Sequence, residues 1–293
     1  MNLRRLARNR RECFFRLVNT ALLRVLTKLY LWNKTPGTFT VGNGNVYYEV
    51  DGMKFEFYFP EFGCTGNIDS VGMSEVSSQA VLLASVPRDG VLYDVGAHEG
   101  LYTMAAMLRR PDLTVYSFEP LAERLRRNLA LNGLSDRNVH AVALGDVNTV
   151  AGMVTDQRSR NHLAVGAEGH VQVPVVQLDD YVEKAGLRPP DYIKIDIEGA
   201  EFAMLKGAQR TLREHAPTIM CEINHNHRRY GVDLNEFLEY MGSLSYVLHR
   251  QHRTDILPVE LPRCEVLGLE DLGRTDYDNF WFIPEYRVSE KRT

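Results

Sequence analysis

Residues 91–110 read VLYDVGAHEGLYTMAAMLRR. A five-residue run, VLYDV, leads into a turn containing Gly96 and Gly100, and LYTMAAMLRR then carries a helical pattern. A short apolar strand, a glycine turn and a helix make the first part of a β–α–β unit. The rhythm continues downstream. Strands are expected at 113–119 (LTVYSFE), 138–144 (NVHAVAL), 191–197 (DYIKIDI) and 217–223 (PTIMCEI). Helices are expected at 122–133, ended by Asn132-Gly133, and at 201–215 and 234–242. Residues 149–177 hold a polar loop between two strand-like pieces, and SYVLHR and NFWFIP close the chain as strands. This alternation implies a mostly parallel sheet with helices on both faces and right-handed connections. Upstream, VYYEVDGMKFEFYF (46–59) alternates around Asp51-Gly52 as a hairpin does, and 71–86 reads as a helix ending at Pro87.

The 293 residues are 44% hydrophobic and 25% charged, which excludes a disordered chain and provides for one large α/β domain with a small appendage. Four cysteines, Cys13, Cys64, Cys221 and Cys264, show no CxxC spacing, so neither a disulfide framework nor a zinc knuckle is indicated and a reducing, cytoplasmic setting is the default. The net charge of -4 argues against bulk nucleic-acid binding. That charge is unevenly spread: residues 1–35 carry nine Arg and Lys against the single acid Glu12. Apolar residues are interleaved with these, which suits a basic amphipathic helix. Such a helix either packs on the main domain or lies on an anionic membrane surface. Arg16, Arg24 and Lys28 interrupt the apolar run, so it does not fit a signal peptide. The expected organisation is a basic helix over 1–35, a hairpin and helix over 36–86, a main domain over 87–286 and a tail over 287–293. Peripheral membrane contact would run through residues 1–33, at the inner membrane face.

In open α/β sheets, ligands sit outside the carboxyl ends of the strands where strand order reverses. Asp94, Glu119, Gly145-Asp146, Asp196 and Glu222 all fall at such ends. The turn at 94–100 lacks the G-x-G-x-x-G spacing of a dinucleotide site and brings in two acids, Asp94 and Glu99. Acids there repel a diphosphate and suit a nucleoside with cationic groups and no phosphate, as S-adenosylmethionine is. Glu119 is placed to accept hydrogen bonds from two ribose hydroxyls, a feature shared with NAD enzymes, and Asp146 to accept one from the adenine amino group. Each acid also has a plain structural role open to it, as a helix-start or turn residue.

YDVGAHEGLYT (93–103), SFEP (117–120), NLALNG (128–133), ALGD (143–146), VVQLDDY (175–181), DYIKIDIEGAEFAMLKGA (191–208) and PTIMCEI (217–223) together resemble the FkbM family of S-adenosylmethionine-dependent methyltransferases. The similarity runs over roughly residues 70–285, and KIDIEGAE followed by LKGA is its most specific piece. The resemblance implies the Rossmann-like class I methyltransferase fold, a seven-stranded, mostly parallel sheet with a reversed last hairpin. It implies methyl transfer to a hydroxyl oxygen of a sugar in a glycan or glycolipid, or of a polyketide or other secondary metabolite. It also places Asp94, Gly96, His98, Gly100, Tyr102, Thr103, Glu119, Pro120 and Asp146 at the cofactor. His98 stands where many members carry Asn. An NAD-dependent oxidoreductase and a non-catalytic membrane-docked module remain the other classes.

A hydroxyl is a poor nucleophile, so a base or a metal must help take its proton. Asp196 is the best-placed base, with His98, His225 and His227 as alternatives. In the other mechanism Asp196 and Glu222 hold a divalent cation, two hard oxygen ligands that suit Mg²⁺. Glu198, Glu201 and Lys194 lie close by in sequence and each has a structural alternative as a cap, a helix-start acid or an ion-pair partner. Asn161 and His162 fall in the loop at 156–170, placed to cover the acceptor. Trp32, Tyr230, Tyr246 and Trp281 are candidates to stack on a sugar.

Overall fold

The computed structural model describes residues 37–42, 45–50, 53–58, 76–155, 161–165, 171–223, 225–251, 264–266 and 278–290. The expected basic helix at 1–35, with Trp32, lies outside these residues. The chain divides into two compact units, 1–73 and 74–293. In the first, β1 (Gly37–Gly42), β2 (Asn45–Val50) and β3 (Met53–Tyr58) form an antiparallel sheet in that order. Val50 pairs with Met53 across Asp51-Gly52, the two-residue connection read from the sequence.

The second unit opens with α1 (Val76–Ser85). It then builds β4 (Val91–Val95), α2 (Leu101–Arg109), β5 (Thr114–Phe118), α3 (Glu123–Leu131) and β6 (Val139–His140). After an excursion through a small sheet come β11 (Tyr192–Ile195), α5 (Glu201–Lys206), α6 (Gln209–His215), β12 (Thr218–Ile223), α7 (Leu234–Ser243), β13 (Tyr246–Gln251), β14 (Cys264–Val266), β15 (Asp278–Pro284) and α8 (Glu285–Glu290). The main sheet runs β14-β13-β15-β12-β11-β4-β5-β6. The pairs β12–β11, β11–β4, β4–β5 and β5–β6 are parallel, whereas β15 runs antiparallel to both β12 and β13. The chain moves outward from β4 through β5 to β6, then returns to β11 and moves the opposite way. With right-handed crossovers this places the helices of the two halves on opposite faces. This is the class I methyltransferase sheet with its reversed final hairpin. An eighth strand, β14, adds to the expected seven by pairing with β13 at the edge. Three residues carry no alternation to read, so the sequence offered no signal for it.

The central strands are buried along their whole length, VLYDV and YIKI alike. Two segments expected as single elements are broken, each for a visible reason. The strand expected at 138–144 splits because Val142 N–H turns back to the His140 carbonyl (2.9 Å). The chain beyond it, β7 (Ala143–Leu144), leaves the main sheet for a second one, β7-β10-β8-β9. That sheet contains β8 (Thr149–Val154), β9 (His162–Leu163) and β10 (Val171–Val176), and α4 (Leu178–Ala185) follows it. The helix expected at 201–215 breaks at Gly207, where a Cβ would lie 1.9 Å from the Gly145 carbonyl oxygen. The Asp179 carboxylate then accepts the Arg210 and Thr211 N–H groups (2.7 and 2.8 Å) and restarts the helix as α6. Among the described residues, no helix is long and apolar enough to cross a membrane.

Candidate active site at the carboxyl ends of the central strands

Strand order reverses between β4 and β11, and their carboxyl ends touch. Asp196 N–H donates to the Val95 carbonyl (3.1 Å), and a Cβ on Gly96 would lie 1.8 Å from the Asp196 carbonyl oxygen. Gly96 also holds φ +75°, so glycine is required on both counts. The turn folds over β5, with Gly96 and Ala97 N–H groups donating to the Phe118 carbonyl (2.9 and 3.3 Å). A cleft of about 120 Å³ opens above this junction.

One wall carries Glu119 at the end of β5. Its Oε2 accepts the His98 N–H (3.0 Å) and its Oε1 the Leu121 N–H (2.9 Å), which fixes the carboxylate while leaving a lone pair on each oxygen. His98 reaches that bond only by adopting φ +50°, a left-handed conformation that Asn tolerates better than His. Apolar wall comes from Phe118 and Val142 and from Ala143, Leu144, Met153 and Leu163 of the small sheet. The polar floor and rim are His98, Asp196, Glu198, Asn161 and His162. Among the described residues that line the cleft, none is Lys or Arg.

Lys194 supports the floor from below. Its Nζ lies 3.5 Å from Asp196 Oδ2, 3.7 Å from Asp94 Oδ1 and 3.3 Å from the Gly96 carbonyl. Burial alone would raise the Asp196 pKa, but Lys194, a hydrogen bond from Glu222 and the nearby His98 together hold it below the usual range. Glu222 is driven the other way, first by burial and then by the charge of Asp196 and its hydrogen bond to it. The two shifts run in opposite directions, Asp196 toward the ionised form and Glu222 toward the protonated one. Glu201 closes the turn after β11: its Oε1 accepts both the Gly199 and Ile197 N–H groups (2.9 and 3.2 Å). Burial, opposed by these bonds, pushes its carboxyl up to about 7.

Of the expected residues, the cleft brings together Gly96, His98, Glu119, Pro120, Asn161, His162, Asp196 and Glu198. The others lie elsewhere. Asp94 is fully buried beneath the turn, accepting a hydrogen bond from Thr103 Oγ1 (2.6 Å) and facing Lys194. Thr103 and Tyr102 are buried with it, Tyr102 under the Lys194 ammonium, and Gly100 begins α2. These four shape the turn and do not line the cleft. Glu99 is paired with Arg124 (2.7 Å), and Asp146 faces Lys206 (3.4 Å) outside the cleft. The acidity expected from Asp94 and Glu99 is therefore supplied by Glu119, Asp196 and Glu198. His225 is exposed on the short 3₁₀ helix His225–Tyr230, and neither it nor His227 lines the cleft. Glu222 does not line the cleft and is hydrogen-bonded to Asp196. Among the described residues, no three His, Cys, Asp or Glu side chains are grouped to hold a metal ion. Tyr246 and Trp281 are core residues. The apolar wall was missed, because apolar residues at strand ends read as core.

The sequence model of the methyltransferase FkbM domain matches residues 94–248, from the end of β4 into β13. The chain belongs to the FkbM methyltransferase family. Among FkbM-type relatives, the 2-O-methyltransferase NoeI of Sinorhizobium fredii is 29% identical, over 47% of this chain and 65% of its own. The hexuronic acid methyltransferase AglP of Haloferax volcanii is 27% identical, over 45% and 56%. The 31-O-demethyl-FK506 methyltransferase FkbM of Streptomyces tacrolimicus is 25% identical, over 41% and 59%. The chain thus spans less than two thirds of the length of each. A crystal structure of methyltransferase FkbM from Methylobacillus flagellatus aligns at TM-score 0.43 and 22% identity, over 66% of this chain and 43% of that one.

Proposed function

We propose that this FkbM methyltransferase is an S-adenosylmethionine-dependent O-methyltransferase whose acceptor is a hydroxyl of a sugar in a glycan or glycolipid. The carrying observation is Glu119: a carboxylate pinned by two backbone N–H groups on the wall of a cleft lined by acids and without a lining Lys or Arg. A diphosphate would meet three carboxylates there and no lining Lys or Arg. A cationic, phosphate-free nucleoside meets two oxygens for its ribose hydroxyls and apolar walls for its base. S-adenosylmethionine fits these residues, and when bound it supplies an electrophilic methyl group on its sulfonium.

The remaining work belongs to the chain. Glu119 orients the ribose, and the surfaces of Phe118 and Leu144 exclude water from the base. Asp196, its charged form favoured by Lys194 and by a hydrogen bond from Glu222, accepts the hydrogen bond of the acceptor hydroxyl. The Asp196 carboxylate would take up the hydroxyl proton that methyl transfer from a bound S-adenosylmethionine releases. A low basicity suffices, because alkylation makes the oxygen strongly acidic. Alignment of the two reactants supplies most of the acceleration. The polar rim of His98, Asn161, His162 and Glu198 suits a polyhydroxylated acceptor, and AglP is named for a hexuronic acid. A polyketide or other secondary-metabolite alcohol is the second reading, supported by the relative named for 31-O-demethyl-FK506.

The test is incubation with methyl-labelled S-adenosylmethionine and extracted glycans, with and without chelator. Label recovered in alkali-stable ether linkage on sugar supports the reading. Label recovered only in non-sugar alcohols favours the second reading, and label in neither contradicts both.

A further inference from the structure

A basic stretch stands beside the acidic cleft, and neither cofactor binding nor the transfer step uses it. Residues 225–230 read HNHRRY and form the 3₁₀ helix after β12, with His225, Arg228 and Arg229 exposed. The sheet order fixes where this helix stands. The strands run β12-β11-β4-β5. The segments that carry the helix, Asp196, His98 and Glu119 therefore leave the sheet in that order, neighbours about 5 Å apart. A nucleoside held at Glu119 leaves the β11 and β12 side of the cleft to the acceptor.

Arg229 is fastened on that side. One guanidinium N–H donates to the Glu198 carbonyl (3.0 Å). The same guanidinium hydrogen-bonds the Tyr230 hydroxyl, whose own proton goes to the Leu163 carbonyl (2.9 Å). Glu198 and Leu163 both line the cleft, so Arg229 stands at its mouth between two segments of its wall. The helix is fitted closely to the turn after β11. Asn226 donates to Glu198 Oε2 (2.6 Å), and a Cβ on Gly199 would lie 2.5 Å from the Asn226 carbonyl oxygen. The groups that hold Arg229 are thus a carbonyl and a hydroxyl, while the Glu198 carboxylate is turned to Asn226. A guanidinium has five N–H donors. The exposed edge of this one keeps donors in the planar fork that matches a carboxylate or a phosphate.

We propose that the acceptor carries an oxyanion, a carboxylate on the sugar or a phosphate on its carrier, and that Arg229 binds it at the mouth of the cleft. Arg228 adds positive potential on the same exposed helix. An acidic interior and a basic lip orient such an acceptor, with its hydroxyl toward Asp196 and its anion held outside. The inference rests on the reading of the cleft as an O-methyltransferase site and adds the charge class of the acceptor.

The test uses the full chain, methyl-labelled S-adenosylmethionine and extracted glycans in three forms: untreated, with carboxylates reduced to alcohols, and with phosphate esters removed. For wild type, the half-saturating concentration of at least one treated form is expected to rise roughly tenfold or more, the range of one charge-assisted hydrogen bond. The form that loses identifies the anion. Arg229→Gln keeps a donor for the Glu198 carbonyl. It is expected to raise the half-saturating concentration of the untreated extract by a similar factor, and to change that of the affected treated form by less than about twofold. Arg229→Lys is expected to recover part of the loss. Affinity for S-adenosylhomocysteine, measured by calorimetry, is expected to stay within about twofold in both variants. Wild type that accepts all three forms equally overturns the proposal. So does Arg229→Gln with no loss, or with equal losses on all three forms. These outcomes leave methyl transfer to sugar standing. Wild type that binds S-adenosylhomocysteine and labels no sugar overturns the acceptor reading, and this inference with it.

Discussion

At the scale of single residues, the site is a set of acids sorted by their neighbours. Asp196 and Glu222 are both carboxylates at strand ends, yet Lys194 favours the charged form of one while burial favours the protonated form of the other. The two therefore respond differently to amide substitution. Asp196→Asn is expected to lower kcat by roughly 10²- to 10⁴-fold while leaving the affinity for S-adenosylhomocysteine within about threefold, measured by steady-state kinetics and calorimetry. Glu222→Gln keeps a donor toward Asp196 and is expected to retain kcat within about threefold, whereas Glu222→Ala removes that donor and costs more. If Glu222→Gln were as damaging as Asp196→Asn, Glu222 would be a ligand or base in its own right. Glu201 gives a pH signature. Its folded pKa of about 7 lies above its unfolded value of 4.5, so the folded state holds the proton more tightly. Stability therefore falls as pH rises from about 4.5 to 7, by roughly 3 kcal/mol at most, and is flat beyond. In Glu201→Gln the carbonyl oxygen can keep both N–H bonds, which go to one oxygen. Denaturant melts of that variant across this window are expected to lose the slope. An unchanged slope would assign it to another group.

At the scale of elements, what was legible is what local pattern encodes. The parallel strands 91–95, 114–118, 192–195 and 218–223 show as short apolar runs, and the helix ending at Asn132-Gly133 shows its own stop signal. The place of Glu119 on the cleft wall was legible because it follows from its position at a strand end. Asp94 and Asp146 were misread because the groups that occupy them, Lys194 and Lys206, lie 100 and 60 residues away in sequence. Nothing within a local window indicates such a partner. The break at 207–208 was hidden for the same reason, since the Gly207–Gly145 approach and the Asp179 cap are both long-range. The contact between the ends of β4 and β11 tolerates no side chain. Gly96→Ala would place a Cβ 1.8 Å from the Asp196 carbonyl oxygen at φ +75°. It is expected to cost more than about 4 kcal/mol, or to abolish soluble expression, as read by thermal melting. A near-native melting temperature would mean that the two strand ends do not meet as described.

At the scale of the whole molecule, the charge asymmetry of the sequence joins the acidic cleft as a determinant of what the protein meets. Residues 1–35 carry +8 against −12 for the remainder. We propose that this basic segment draws the enzyme to anionic membrane, where an acceptor on a lipid carrier would be found. Deleting residues 1–33 is expected to lower recovery in the membrane fraction at low salt, and unchanged recovery would contradict the idea. The class I sheet is common to S-adenosyl and dinucleotide chemistry in its broad plan, so the fold alone does not choose between them. The cleft is where the two differ: three carboxylates line it and, among the described residues, no Lys or Arg. The most direct test is calorimetric titration of S-adenosylhomocysteine and of NAD into wild type and into Glu119→Ala. Heat from S-adenosylhomocysteine alone, lost on Glu119→Ala while the variant keeps its melting temperature, is the result expected here. Saturable NAD binding without S-adenosylhomocysteine binding would contradict it.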